Sequence, residues 1–296
     1  MKLAIAGGKG GTGKSTLAAN LAEILSKDLE VLLIDADVDN PSIERLMKLD
    51  IKELEEVNIF KPEIVEDDCT KCGECVARCP EHALIMPPGN IPLLMEDRCN
   101  GCKACFYACR YRAISEGKKT IGLIKVGLRG RIKVLIGELK PGIPFSPVMV
   151  HKLIEKSLTL GKVDIRVYDC PPGAGNAVVQ LLKISDYIIL VTEPTPFGLH
   201  NFKLMAELVK ELGVKAFLVI NRADIPGGAL VKLKEYANKV GVKVIAELPY
   251  DERALRAYIR GEPVVTSDPD SPLAKGILNL SNFIREVLEG VPYGGN

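Results

Sequence analysis

The chain has 296 residues, of which 47% are hydrophobic and 26% charged, with 27 glycines and 19 prolines. That composition is globular and excludes a largely disordered, collagen-like or repetitive polymer. A formal net charge of +1 at neutral pH leaves no electrostatic signal for nucleic acid or an anionic membrane.

Leu3-Ala4-Ile5-Ala6 reads as a buried strand; as an opening apolar run it is too short for a secretory h-region, and no later run approaches the ~18–20 apolar residues of a bilayer-crossing helix, so a cytoplasmic protein is expected. The strand runs into Gly8-Lys9-Gly10-Gly11-Thr12-Gly13-Lys14-Ser15, which matches G-x-x-x-x-G-K-[ST] between a predicted strand and a predicted helix at 15–25. Glycines there let backbone N–H groups curl around phosphate oxygens at a helix N-terminus. The motif assigns Lys14 to the β- and γ-phosphates and the Ser15 hydroxyl to Mg²⁺.

Val31-Leu32-Leu33-Ile34 reads as a strand buried on both faces, followed by Asp35, Asp37 and Asp39; Asp169 follows a similar run at 163–168. Carboxylates at strand C-termini beside a phosphate loop are where Mg²⁺ and an attacking water are held. The alternative for any one of them is that it merely caps the next helix, Asp39 most of all.

Between about Asn58 and Lys119 the alternation stops, and eight of the nine cysteines fall between Cys69 and Cys109. Cys69, Cys72, Cys75, Cys79, Ala83 and Leu84 recur 30 residues later as Cys99, Cys102, Cys105, Cys109, Ala113 and Ile114. The run Cys-x₂-Cys-x₂-Cys-x₃-Cys-Pro at 69–80 resembles that of bacterial ferredoxins, each carrying a [4Fe–4S] cluster; the second run has Arg110 in place of the proline. In two-cluster ferredoxins the fourth cysteine of each run serves the other cluster. That resemblance groups Cys69, Cys72, Cys75 and Cys109 on one cluster, and Cys79, Cys99, Cys102 and Cys105 on the other. Zinc is the rival metal, but four cysteines within eleven residues, twice, crowd a tetrahedral site. Bound clusters would leave the segment, otherwise charge-balanced, with a net charge of about −4.

The residues at 121–126 and 131–136 flank Gly127-Leu128-Arg129-Gly130 as a hairpin. Strand patterns then recur at 163–168, 187–191, 214–220 and 242–246. Helical patterns lie at 147–159, 176–184, 197–212, 227–240 and 273–288. Alternation of this kind gives a doubly wound, mostly parallel sheet. The fold class expected is α/β: a P-loop NTPase domain at 1–57 and 120–296, interrupted at 58–119 by an inserted α+β bacterial-type ferredoxin domain.

Gly8-Lys9-Gly10-Gly11-Thr12-Gly13-Lys14-Ser15-Thr16 is similar to the deviant Walker A of the MinD/ParA/Mrp family, which includes the nitrogenase iron protein. Ile34-Asp35-Ala36-Asp37 resembles that family's switch I, and Asp169-Cys170-Pro171-Pro172-Gly173 its Mrp-type switch II. The resemblance covers most of 1–57 and 140–296. It implies an ATPase that dimerises around ATP, with Lys9 reaching the partner's phosphates. Gly8, Gly10 to Gly13, Lys14, Ser15 and Thr16 would hold the nucleotide; Ser15, Asp35 and Asp169 would hold Mg²⁺. Asp37, with Asp39 second, would position the water. Asn221-Arg222-Ala223-Asp224 has the look of the guanine-reading N-K-x-D of GTPases with Arg for Lys. The family instead implies adenine, held by Asn221, Arg222, Pro249 and Asp251.

Cys170 reads as a small buried residue, and the late Cys-x-x-Cys of Mrp-type carriers is missing. The function expected is a dimeric switch coupling ATP hydrolysis to electron transfer through two [4Fe–4S] clusters to a partner protein. The alternatives are a factor that assembles or delivers iron–sulfur centres to an acceptor, and a positioning ATPase with structural clusters.

Overall fold

Strands that are apolar on both faces along most of their length have no face to offer water, and here they occupy the middle of a nine-stranded sheet. The computed structural model describes residues 1–226 and 228–290. In chain order the first elements are β1 (Lys2–Ala6), α1 (Lys14–Leu25), β2 (Val31–Asp35), α2 (Ile43–Met47) and β3 (Asp50–Ile64). The cysteine-rich stretch holds α3 (Glu74–Ala77), β4 (Leu84–Ile85), β5 (Leu93–Leu94) and α4 (Ala104–Ala108). Then come β6 (Ile114–Arg129), β7 (Ile132–Leu139), α5 (Ser146–Thr159), β8 (Ile165–Asp169), α6 (Asn176–Ile184) and β9 (Tyr187–Thr192). The chain continues through α7 (Pro196–Leu212), β10 (Lys215–Asn221), α8 (Leu230–Lys239), β11 (Lys243–Leu248), α9 (Glu252–Arg260), α10 (Val264–Ser267) and α11 (Pro272–Leu288).

Two compact units result: one of Met1–Leu54, Ile124–Glu138 and the residues from Ser146 onward, the other of Glu55–Leu123 and Leu139–Phe145. The sheet order is β11-β10-β9-β1-β8-β2-β7-β6-β3, and the pairs β10–β11, β9–β10, β1–β9, β1–β8, β2–β8 and β2–β7 are parallel. In the first unit α1 buries Leu17, Leu21, Ile24 and Leu25, and α11 buries Leu273, Ile277, Leu280 and Ile284 in the same core. Each such aliphatic side chain contributes roughly 1.5–3 kcal/mol.

The sequence pattern missed β3 and the early part of β6. β3 opens with Asp50-Ile51-Lys52-Glu53-Leu54-Glu55-Glu56, mostly exposed, so its first half has no hydrophobic face to betray it. As the edge strand of the sheet it also tolerates Pro62, which a central strand would not. The expected helix at 227–240 is observed from Leu230; residue 227 lies outside the described residues.

In the second unit the repeat is visible in the backbone. Lys71 and Gly101 (φ +59° and +75°), Gly73 and Lys103 (+78° and +62°), and His82 and Arg112 (+48° and +55°) adopt left-handed conformations at equivalent positions. Phe60, Leu84, Cys105 and Ile114 form its small core, with Cys75, Val76, Phe106 and Cys109 packed around it.

Candidate nucleotide site and cysteine pockets

Parallel strands end their carbonyl edges together, and the register brings the acidic residues side by side. Ile5 and Asp35 both pair with Asp169 on neighbouring strands, so the loop after β1 and the carboxylates ending β2 and β8 share one sheet edge. The phosphate loop is braced from behind: a side chain on Gly7 would strike the Val191 carbonyl at 2.6 Å, and one on Gly8 would strike Asn201 at 2.7 Å. Gly13 is left-handed (φ +94°), and a side chain there would collide with the Asn221 amide. Asn221 Nδ2 donates to the Thr12 carbonyl at 2.9 Å, so this residue supports the loop. Lys14 is buried and its ammonium donates to the Lys9 carbonyl at 3.2 Å, inside the curl of the loop. The Lys9 ammonium instead lies 5.2 Å from the Phe197 ring centre.

The carboxylates divide by what they already hold. Asp35 is fully buried and caps α2, accepting from the Ser42 and Ile43 amides at 2.8 and 2.9 Å, with a 3.2 Å bond from the Asp37 amide. Burial still raises its pKa to about 7. Asp169 is equally buried, yet neither of its oxygens has a hydrogen-bond donor. Burial and the neighbouring Asp35 push its pKa well up, against the influence of Ser15 and Lys14. An orphaned carboxylate beside a serine hydroxyl is a donor set that fits Mg²⁺, with phosphate oxygens to complete the shell. Burial raises Asp37 to about 6, with Lys14 opposing and Asp39 adding to the rise. Asp39 is exposed and accepts from the Ser146 hydroxyl at 2.6 Å.

Beside the loop lies a cavity of about 330 Å³ whose lining includes Gly13, Thr16, Asn221, Arg222, Pro249 and Asp251. It brings together the residues expected at the base. Asp251, however, caps α9, accepting from the Arg253 amide at 3.0 Å, and reaches the Leu273 amide at 3.4 Å. Burial would raise its pKa; the donated hydrogen bonds and the Arg253 charge outweigh that and lower it. Asp224 accepts from the Tyr250 amide at 2.8 Å, holding the 249–251 turn. Arg222, left-handed at φ +51°, is ion-paired with Glu193. Tyr250, in the 248–251 loop expected around the base, also lines this cavity, as do Leu255 and Tyr258, which were not anticipated. The signal for those two was weak, because both remain exposed.

In the second unit the cysteines sort into two pockets. Cys69, Cys72, Cys75 and Cys109 line one; Cys79, Cys99, Cys102 and Cys105 line the other. None of the nine cysteines is joined in a disulfide. Among the described residues no three His, Cys, Asp or Glu side chains converge on a point as ligands of one metal ion do. Burial raises the Cys75 and Cys105 thiols, the latter to about 11, and the other cysteines of the same pocket add to each rise. The Ala83 and Ala113 amides donate to the Cys79 and Cys109 sulfurs at 3.2 and 3.3 Å. Four thiol donors around one cavity, with a backbone N–H already aimed at a sulfur, fit a [4Fe–4S] cluster in each pocket.

A family model described as the CobQ/CobB/MinD/ParA nucleotide binding domain matches residues 3–264. The chain belongs to that family. It is a P-loop ATPase of MinD/ParA type, with the mostly parallel sheet that type shows. An uncharacterized protein of Methanocaldococcus jannaschii is 30% identical over 99% of this chain and 98% of its own length. The iron–sulfur cluster carrier protein of Aquifex aeolicus is 27% identical, covering 97% of this chain and 68% of the relative. Among solved structures, the septum site-determining protein MinD of Pyrococcus horikoshii complexed with Mg-ADP superposes with a TM-score of 0.59 at 22% identity, covering 97% of this chain and 96% of that one.

In this MinD/ParA-type ATPase the segment Asp169–Gly173 is tied by backbone bonds to β1 and to the start of the phosphate loop: Cys170 N donates to Ile5 O at 3.0 Å and Gly173 N to Gly7 O at 3.1 Å. Cys170 itself is fully buried and its thiol is pushed up by burial. No helix among the described residues is long and apolar enough to cross a membrane.

Proposed function

We propose that this ATPase uses nucleotide binding and hydrolysis to gate electron transfer from two resident [4Fe–4S] clusters to a partner protein, working as a dimer formed around ATP. The observation that carries the reading is that each cysteine pocket draws all four sulfurs from this one chain. A cluster with a complete internal ligand set is held, whereas cargo needs an open or shared coordination position.

Lys14 leaves its loop carbonyl for the β- and γ-phosphates, and the amides of Gly10 to Gly13 cradle their oxygens. Mg²⁺, when bound, supplies positive charge to those oxygens; Ser15 and Asp169 would hold it, with Asp35 behind them fixing α2. Asp37, poised by burial near neutrality, orients the attacking water and can take up its proton. Asp39 stands in reserve on the switch, and Lys9 reaches the partner's phosphates. The chain itself supplies a mechanical route: Asp35 caps α2, and β3 follows α2 directly and leads to Cys69. A change at the first switch is thereby passed along the backbone to β3, which ends at Ile64, ahead of the first cysteine run.

Redox potentiometry with EPR detection, in ADP and then in an unhydrolysable ATP analogue, tests the reading. Cluster potentials or line shapes that differ between the two nucleotides support it, and Lys14→Ala should erase the difference while leaving the iron bound. Spectra and reactivity indifferent to nucleotide would sink it.

A second reading is favoured by the relatives named iron–sulfur cluster carriers: assembly or delivery of such centres to an acceptor protein. It predicts iron leaving for an apo-acceptor during turnover, where the electron-transfer reading predicts iron that stays.

A further inference from the structure

The 30-residue repeat makes each cysteine pocket a control for the other, because equivalent positions carry different side chains around equivalent sulfurs. Around Cys69, Cys72, Cys75 and Cys109 the lining includes Thr70, Gly73, Met86 and Tyr111. The equivalents of these four at the other pocket are Asn100, Lys103, Glu116 and Glu81. Three of them line that pocket, and the fourth, Glu116, is ion-paired to Lys103 at 2.9 Å. Asn100 accepts from the Cys102 amide at 3.0 Å and donates to Glu81 at 2.9 Å. In the first pocket the Met86 methyl instead stands 4.0 Å from where a Gly73 side chain would begin. The N–H···S bonds to Cys79 and Cys109 match within 0.1 Å (3.2 and 3.3 Å) and cannot separate the two sites.

Reduction adds a negative charge to a cluster. Polar groups and a nearby cation favour that charge, and a surrounding of methyl and ring carbons disfavours it. Glu81 opposes the effect of Lys103, but it is exposed and water screens it.

We propose that the two clusters are electrochemically inequivalent: the one on Cys79, Cys99, Cys102 and Cys105 is the more easily reduced, and Lys103 sets the difference. This rests on the reading that both pockets hold [4Fe–4S] clusters.

Potentiometry with EPR detection on the full-length, anaerobically reconstituted protein without nucleotide tests it, with iron content measured in parallel. Two one-electron waves are expected. Lys103→Met should lower the more positive wave and leave the other in place; Glu116→Gln, which frees the same ammonium from its counter-charge, should raise it. Opposite shifts from the two variants are a signature that a merely structural role would not give. A single unresolved wave in the wild type, or two waves that neither variant moves, overturns the proposal. Failure of nucleotide gating looks different: two separate, Lys103-dependent waves that ignore added nucleotide.

Discussion

Asp169 is a fully buried carboxylate without a donor, placed beside Asp35 and near Asp37, and this arrangement has a thermodynamic consequence. All three groups have pKa values raised in the fold: Asp35 to about 7, Asp37 to about 6, and Asp169 upward as well. Between pH ~4 and ~7 the native state therefore holds protons that the unfolded chain has released, and stability falls as pH rises across that window. The loss is on the order of a few kcal/mol for the cluster as a whole. Mg²⁺ held there with nucleotide, as proposed, would offset the same charges, so its stabilising effect should be larger at pH 8 than at pH 5. Thermal unfolding from pH 4.5 to 8, with EDTA or with Mg-ADP, measures both trends. Asp169→Asn should flatten the metal-free slope; a midpoint that climbs with pH in EDTA would show that these carboxylates are not held protonated.

Elements differed in how clearly the sequence announced them. The phosphate loop was legible because its residue types are dictated by contact: Gly13 cannot carry a side chain against Asn221, and Lys14 must lie inside the curl. The cysteine pockets were legible because the resemblance to two-cluster ferredoxins implies which sulfurs group together, and the left-handed residues at 71, 73, 101 and 103 recur at equivalent places in the two runs. The base side was harder to read. Asn221 and Asp251 line the cavity, but the first braces Thr12 and the second caps α9, and residue type does not distinguish such support from ligand contact. The short helices α9 and α10 were missed, and α9 carries Leu255, Tyr258 and Ile259 exposed, without a buried stripe. Asp251→Ala removes the α9 cap and the bond to Leu273, and should cost about 1 kcal/mol of stability. Because α9 supplies Ala254, Leu255 and Tyr258 to the cavity wall, nucleotide affinity should fall with it. Denaturant unfolding and calorimetric nucleotide binding on the same variant separate the two effects. Unchanged binding beside a lowered midpoint would make the cap purely structural.

At the scale of the whole molecule the two lysines of the loop are held very differently. Lys14 is buried and bonded to the Lys9 carbonyl, a position from which it can serve only phosphates bound to its own chain. Lys9 is exposed, and its ammonium rests on the half-exposed ring of Phe197. Such a contact is worth roughly 0.5–1 kcal/mol at an exposed site, little enough to be given up when a second copy offers phosphate oxygens. Lys9→Ala should therefore leave nucleotide binding within a few-fold of wild type, since nothing that braces the loop depends on that side chain. It should abolish dimerisation in the presence of ATP, and with it any nucleotide effect on the clusters. Light scattering in ADP and in an unhydrolysable analogue reads the first outcome, and EPR on the same samples the second. A variant that still dimerises would return Lys9 to the status of a solvated loop residue. A variant that stays monomeric yet keeps its nucleotide-dependent spectrum would place the coupling within one chain, along α2 and β3, with no role for the second copy.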